Sequence, residues 1–504
     1  MQTTDSMNTG LLLSQLAQLP ITTFETQAKL LIDAAEANIA RINSQIRDLE
    51  CLRDRERGVI ARLRMAIAPV NKLPAELLRE IFLHVRCQSS YYRRDTVQKV
   101  QRLSHVCVYW RRVAHTTPRL FTETVSFKLE KTPSEDYLAL SKHWLDRSSP
   151  FPISIHLENS GTNWRRVNAG PLMDIMAANA HRWDSARFHL SSLDVFDRIH
   201  AVSLNSLHTF DLKSSDVKNH ELTRPLLTAE RLQTLFLHTQ RSSKFVLPWA
   251  QITTLRVEDH HPMECLDALV QCASVVDADL RTSAWPELPD MSQRPITTLS
   301  GLETLSIDFG SDCQSGDLTG PFFTHLSLPA LKRLTVCMDM DHFWSSPDFT
   351  EFQLRSPKIE HLAIERSGLV PSDLLAVFQH APSLVILDLD CCQHCLDDSI
   401  VTGLQHSSTH GPSLAPRLET INMSYTGSDF NEDALDTMIQ SRWWTDEQLL
   451  ALPCPPPVSR WSCISIHCSD DENDGFSPHI AAKLELYRSQ GLDVTVSGFG
   501  SEEY

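Results

Sequence analysis

Residues 302–307 read LETLSI: an apolar residue, two of any kind, a second apolar residue, one of any kind, and a third apolar residue. The same pattern recurs as WDSARF at 183, LHTFDL at 207, LQTLFL at 232, ITTLRV at 252 and VVDADL at 275. It continues as LKRLTV at 331, IEHLAI at 359, LVILDL at 384 and LETINM at 418. Ten occurrences at intervals of 20 to 34 residues are an internal repeat, not chance. Side chains alternate across a strand, so the last two apolar positions of each motif share a face. Between motifs lie stretches of helical character such as PLMDIMAANA, MECLDALVQCA and PSDLLAVFQHAPS.

A short strand and a helix repeated at this period is the signature of a leucine-rich-repeat solenoid. Stacked units place a parallel β face on the concave side and helices outside, a surface suited to gripping another protein. Eight residues after the motif starts stand residues such as Ser, Gln, His, Gly and Cys, where asparagine is common, so the solenoid is expected to be irregular. A stiff proline run at 452–461, a helix over SPHIAAKLELYRSQG and a closing strand LDVTV are expected to cap it, with SDDENDGFS at 469–477 as a solvated acidic loop. The fold class is therefore α/β: a long N-terminal helix, a small all-α unit, then the solenoid.

The long helix is read upstream. From Phe24 to Ile67 there is no proline and the only glycine is Gly58. Ala35, Ile39, Ile42, Ile46, Leu49, Ile60, Leu63 and Ile67 fall at 4-3-4-3 spacing, interrupted by Arg53 and Glu56. That spacing is a coiled-coil seam. It implies a weak homodimer through residues 35–67, or else one long helix whose stripe packs on its own chain.

Residues 70–125 read as two helical pieces. Pro74 suits the first turn, where its missing N–H is no loss, and Glu76 suits the helix dipole. Leu73, Leu77, Ile81 and Val85 repeat every four residues, with Leu78 and Phe82 beside them. Val100, Leu103, Val106/Cys107, Trp110 and Val113/Ala114 then recur at helical spacing until Pro118. A unit of about fifty residues buries too little to stand alone, so some apolar surface is expected to await a partner.

With LPAELLREIF, VCVYWRRVA and PRLF in view, residues 73–121 resemble an F-box. The overall plan, including HWLDRSSPFPISIHL at 143–157, is similar to the large F-box families of mushroom-forming fungi, although the specific motifs cover only about fifty residues. The resemblance implies a non-catalytic substrate receptor of an SCF-type cullin–RING ubiquitin ligase, binding a Skp-type adaptor through the F-box and a protein substrate through the repeats. Leu73, Pro74, Glu76, Leu77, Leu78, Ile81 and Phe82 would contribute the first adaptor-facing helix. Val106, Cys107, Trp110, Val113, Ala114 and Pro118 would contribute the second part, some as core and some as contact. The chain departs from the family pattern in a long linker at 86–99 and in Phe121, where many members carry Trp. The rival reading is a leucine-rich-repeat interaction scaffold with no ligase role. The divisions expected are a flexible N-terminus at 1–23, the coiled-coil-like helix at 24–68, the F-box domain at 69–125 and the substrate-binding repeats at 126–500.

Bulk properties agree with a globular protein: of 504 residues, 42% are hydrophobic and 22% charged. No window approaches the roughly 18 consecutive apolar residues that span a bilayer. LLLSQLAQL at 11–19 lacks the basic flank and cleavage site of a secretory leader and reads as the start of a helix. Thirteen scattered cysteines point to reduced thiols in the cytosol or nucleus. Residues 41–119 carry 17 Lys/Arg against 7 Asp/Glu in a chain of net charge −17. These arginines interleave with acids, unlike a phosphate-tracking stripe, which argues against nucleic acid as the partner. DCCQHC at 390–395 offers thiols and an imidazole but no second knuckle, so no metal is expected. No phosphate-cradling glycine loop and no activated nucleophile is visible, and neither a cofactor nor catalysis is expected.

Overall fold

The computed structural model describes residues 21–498 except 88–94, 123–124, 130, 160–166, 192–202, 215–228, 240–242, 244, 260, 284, 286–293, 311–319, 339–343, 393–394, 407–412, 425–429, 452–457 and 469–476. The N-terminus expected to be flexible, up to residue 20, the middle of the long linker, most of the proline run and the acidic loop thus lie outside the described residues. The chain divides into two compact units, Met1–Val85 and Arg86–Tyr504.

In the first unit a single helix, α1 (Ile21–Ile67), runs for 47 residues. Good helix formers and the absence of proline sustain it, and Pro69 opens a 3₁₀ turn (Pro69–Lys72) directly after it. The apolar positions of its seam are exposed along their whole length, including Ile39, Ile42, Ile46, Leu49, Ile60, Leu63 and Ile67. Helix α2 (Ala75–Cys87) follows. It begins one residue later than the sequence suggests: Pro74 contributes its carbonyl, which accepts from Leu78 N at 3.2 Å.

The second unit opens with α3 (Asp95–Val106) and α4 (Val108–His115). The periodicity predicts one continuous helix here, and the structure breaks it. Cys107 is extended (φ −158°), and its Sγ accepts from Trp110 N at 3.4 Å, capping α4. A local side-chain cap competes with helix continuation in this way. Pro118 then starts a 3₁₀ turn, Pro118–Phe121. Phe121 is buried against the edge of Trp144, ring centroids 4.8 Å apart, in α5 (Glu135–Ser148).

The rest is one fourteen-stranded sheet, parallel at every pairing and ordered along the chain. Its strands are β1 (Val125–Lys128), β2 (Ile153–Asn159), β3 (Trp183–Leu190), β4 (Thr209–Ser214), β5 (Thr234–His238), β6 (Thr254–Asp259) and β7 (Asp277–Thr282). A small strand β8 (Thr297–Thr298) pairs outside it with β10 (Leu326–Ser327), flanking β9 (Thr304–Phe309). The sheet continues through β11 (Arg333–Cys337), β12 (His361–Glu365), β13 (Ile386–Asp390), β14 (Thr420–Ser424), β15 (Cys463–Cys468) and β16 (Asp493–Gly498).

Each of the ten motifs carries one strand, and the motifs stack in register. The second apolar positions form one row: Phe210, Leu235, Leu255, Ala278, Leu305, Leu334, Leu362, Leu387, Ile421, then Ile464 and Val494. The row is buried throughout, as are the first and third apolar positions of every motif. Full burial of a Leu or Ile contributes about 1.5–3 kcal/mol, so each added repeat extends one continuous core.

Helices cover that core between most strands: α6 (Gly170–Ala177), α7 (Pro262–Gln271), α8 (Gly320–His325), α9 (Ser346–Arg355), α10 (Pro371–Gln379), α11 (Asp398–Gly403), α12 (Glu432–Arg442), α13 (Asp446–Ala451) and α14 (Pro478–Ser489). The shortest interval, between LQTLFL and ITTLRV, holds a 3₁₀ turn (Trp249–Gln251) and no α-helix among its described residues. The C-terminal helix and closing strand are where the sequence places them. Gly491 ends α14 at φ 99°, a left-handed position that a side chain resists. Long-repeat proteins with this architecture are leucine-rich-repeat-like, with parallel strands on one face and helices on the other.

Candidate functional site

Two surfaces qualify, one in each unit: the apolar stripe of α2 and the open face of the sheet. On α2 the structure separates residues that the sequence leaves mixed. Leu78 and Phe82 are fully buried, whereas Leu77 (52% exposed), Ile81 (41%) and Val85 (39%) form a stripe open to solvent. Leu73 is half-buried, Pro74 is exposed, and exposed Glu76 sits 3.9 Å from Arg79 in the first turn. Leu77, Ile81 and Val85 are spaced four apart, so they align along one side of the helix.

In the second unit the candidates also divide. Val113 and Ala114 are buried, Cys107, Trp110 and Pro118 are half-buried, and Val106 is exposed at the end of α3. The cap at Cys107 turns α4 so that Val108 (71% exposed) and Tyr109 stand out as well. Periodicity missed both, because it assumed an unbroken helix in which 108 and 109 fall off the apolar stripe. Thr117 Oγ1 donates to Val113 O at 2.7 Å and Arg111 Nε to Ser104 O at 2.9 Å, which fixes the turn after α4 and the crossing of α3 and α4.

The open face of the sheet is built from the alternate strand residues that point away from the core. Register sets opposite charges beside one another. Lys128 Nζ lies 3.2 Å from Glu158, Arg187 Nε 2.5 Å from Asp211, and His238 Nδ1 2.8 Å from Glu258. Arg256 lies over the Phe236 ring at 5.2 Å and within 3.8 Å of Asp279. Further along, Asp388 receives Asn422 Nδ2 at 2.6 Å and lies 2.5 Å from His361 Nε2. Burial alone would raise the Asp388 pKa, but these hydrogen bonds outweigh it and hold the carboxyl below its usual range.

His156 and His189 meet edge to face at 5.0 Å, and burial pushes both imidazoles down, towards the neutral form. Cys337 is pushed up to about 12, chiefly by burial, although Arg366 Nη2 donates to its sulfur. A thiol held protonated is a poor nucleophile and a poor metal ligand. In DCCQHC, burial likewise raises Cys391, Cys392 and Cys395, and Cys392 Sγ donates to Ile364 O at 3.4 Å. Gln393 and His394 lie outside the described residues. Among the described residues no three His, Cys, Asp or Glu side chains gather in a metal-binding group, and no helix is long and apolar enough to cross a membrane.

No family model matches the chain, and no curated protein matches it. Among solved structures, one described as "Crystal structure of TLR13-ssRNA13 complex" matches at 12% identity, over 56% of this chain and 52% of that one, with a TM-score of 0.22. The chain thus spans about half the length of that structure, and a superposition so loose carries no argument. The repeat architecture rests on the strand register itself.

Proposed function

We propose that this protein is an adaptor-binding substrate receptor of an SCF-type cullin–RING ubiquitin ligase, working as a positioning scaffold with no catalytic group of its own. The observation that carries this reading is the exposed Leu77–Ile81–Val85 stripe on α2, inside the segment that resembles an F-box. An apolar row left open on a short helix is costly in water unless a partner covers it. Leu78 and Phe82 supply the core of the same helix. The open face of the repeats would hold the protein substrate, with paired charges and the Phe236–Arg256 stack as its recognition features. A receptor of this kind brings substrate near a conjugating enzyme.

The test is co-purification with the host's Skp-type adaptor. Leu77→Glu and Ile81→Glu alter exposed positions, so folding should survive while adaptor is lost. Leu354→Glu, at a residue 65% exposed on α9, serves as the control that keeps it. If the wild-type chain fails to retain adaptor, the ligase reading is wrong and the repeats act as an interaction scaffold alone.

A further inference from the structure

The seam of α1 is covered by no described part of the chain, and its two charged positions say what covers it. At 4-3 spacing the first core positions of successive heptads are Ile32, Ile39, Ile46, Arg53, Ile60 and Ile67. The second core positions are Ala28, Ala35, Ile42, Leu49, Glu56 and Leu63. Every one of these residues from Ile32 to Ile67 is exposed. The fourth heptad therefore has Arg53 and Glu56 where its neighbours have aliphatic side chains.

We infer that α1 pairs with α1 of a second copy of this chain in an antiparallel coiled coil centred between Arg53 and Glu56. In an antiparallel pair the first core position of one helix packs against the second of the other. Centred there, Arg53 meets Glu56 of the second copy and Glu56 meets its Arg53. The flanking layers are then aliphatic on both sides: Leu49 with Ile60, Ile46 with Leu63, and Ile42 with Ile67. Beside the seam, Glu50 faces Arg57 and Leu52 faces Val59 of the second copy, so the edges are complementary too. Gly58 lies on the side away from the seam, where it disturbs no layer.

The other arrangements fail on the same residues. A parallel in-register pair sets Arg53 against Arg53 and Glu56 against Glu56. It also leaves Leu52 beside Arg57 and Val59 beside Arg64. An antiparallel pair with full overlap of the helices sets Arg53 against Ala35 and Glu56 against Ile32, leaving four charges facing aliphatic layers with no ionic partner. Burying an unpaired charge is the costlier outcome. In the single chain Arg53 is tied to Asp54 at 3.1 Å and Arg57 to Asp54 at 3.6 Å, exposed local contacts that are weak and readily exchanged. The overlap of residues 42–67 extends over about 40 Å of helix.

The experiment uses the full chain with Cys51→Ser, the exposed cysteine nearest the seam. Sedimentation equilibrium should give a concentration-dependent dimer. Under a glutathione redox buffer, the Leu49→Cys/Ile60→Cys variant should cross-link between chains, and peptide mapping should join residue 49 to residue 60. Those two positions lie about 16 Å apart along one helix, too far for a disulfide within it. Ile60→Cys alone should give no cross-link above the parent. Arg53→Glu should weaken the dimer about ten-fold by turning two attractions into repulsions, and Arg53→Glu/Glu56→Arg should restore it. A monomer at every concentration, a trimer, a self-cross-link of Ile60→Cys, or a dimer in which neither variant cross-links would each overturn the inference.

Discussion

Asp436 is the place where the last repeat is fastened to the one before it. It is 5% exposed on α12 and accepts from Tyr487 Oη at 2.6 Å and Lys483 Nζ at 2.6 Å, both on α14, and from Gln440 at 2.8 Å. Burial would raise its pKa, yet these donors outweigh that effect and keep the carboxyl below its usual range. Replacing Asp436 by Ala deprives the buried Tyr487 hydroxyl of a charged acceptor, costing about 1.5–3 kcal/mol, whereas Lys483 is exposed enough to rehydrate and adds about 1 kcal/mol. Contacts in a repeat stack are between neighbours, so a loss of about 3 kcal/mol should fall on α14 and β16 and not on the whole sheet. Native-state hydrogen exchange should then accelerate about 150-fold in residues 478–498, with β5 to β9 unchanged. Asp436→Asn should show a smaller effect. The pH dependence has a definite sign. A carboxyl depressed in the folded state contributes stability that is present above its unfolded value of about 3.9 and is lost as pH falls through the folded value. Acid should therefore loosen the same segment, and Asp436→Ala should abolish that acid step. Uniform acceleration across the sheet, or none at 478–498, would refute the reasoning.

Three further substitutions test the fold at separate points. A Cβ at Gly58 meets only Arg62 Nη2, at 3.9 Å, so Gly58→Ala should stabilise α1 by about 1 kcal/mol, read as a higher helix melting temperature by circular dichroism. Leu387 is fully buried between Leu362 and Ile421 in the middle of the stack, and Leu387→Ala should cost about 3–5 kcal/mol in urea unfolding. At Gly491 there is open space for a side chain but the backbone is left-handed. Gly491→Ala should therefore destabilise the C-terminal helix by about 1 kcal/mol through strain alone, seen as faster exchange at its last turn.

The repeats were legible because one pattern fixes both the burial and the register of a strand, and the strands that escaped show which part of the pattern mattered. β1 and β2 carry the second and third apolar positions, but Thr122 and Pro152 stand where the first should be. β15 has all three in Trp461, Ile464 and Ile466, yet it follows its predecessor after the longest gap, which holds α12, α13 and the proline run. The core-facing residues of β1 and β2 are nonetheless as buried as those of the motif strands. The F-box-like segment was legible as a pattern and not as a surface. Leu77 and Leu78 are equally apolar neighbours, and only the packing of α2 buries one and exposes the other. The break at Cys107 was hidden for a similar reason, since Val100, Leu103, Val106 and Trp110 satisfy one helical period whether or not a thiol caps the chain between them.

The open face could have been read further than periodicity took it. Once the motifs stack in register, the fifth residue of each lies beside the fifth of the next, which places Arg187 by Asp211, Phe236 by Arg256 and Asp388 by Asn422. Each of these pairs is a contact in the structure, although 20 to 34 residues separate the partners. Arg187 and Asp211 therefore neutralise one another across the strands, and Arg256 lies 3.8 Å from Asp279 as well as over Phe236. A charged group already paired across the strands must exchange that partner before it can pair with another, so such pairs would select a partner more than strengthen its binding. Substitutions that break one cross-strand pair should consequently change partner choice through the charge they set free, more than through any contact they remove.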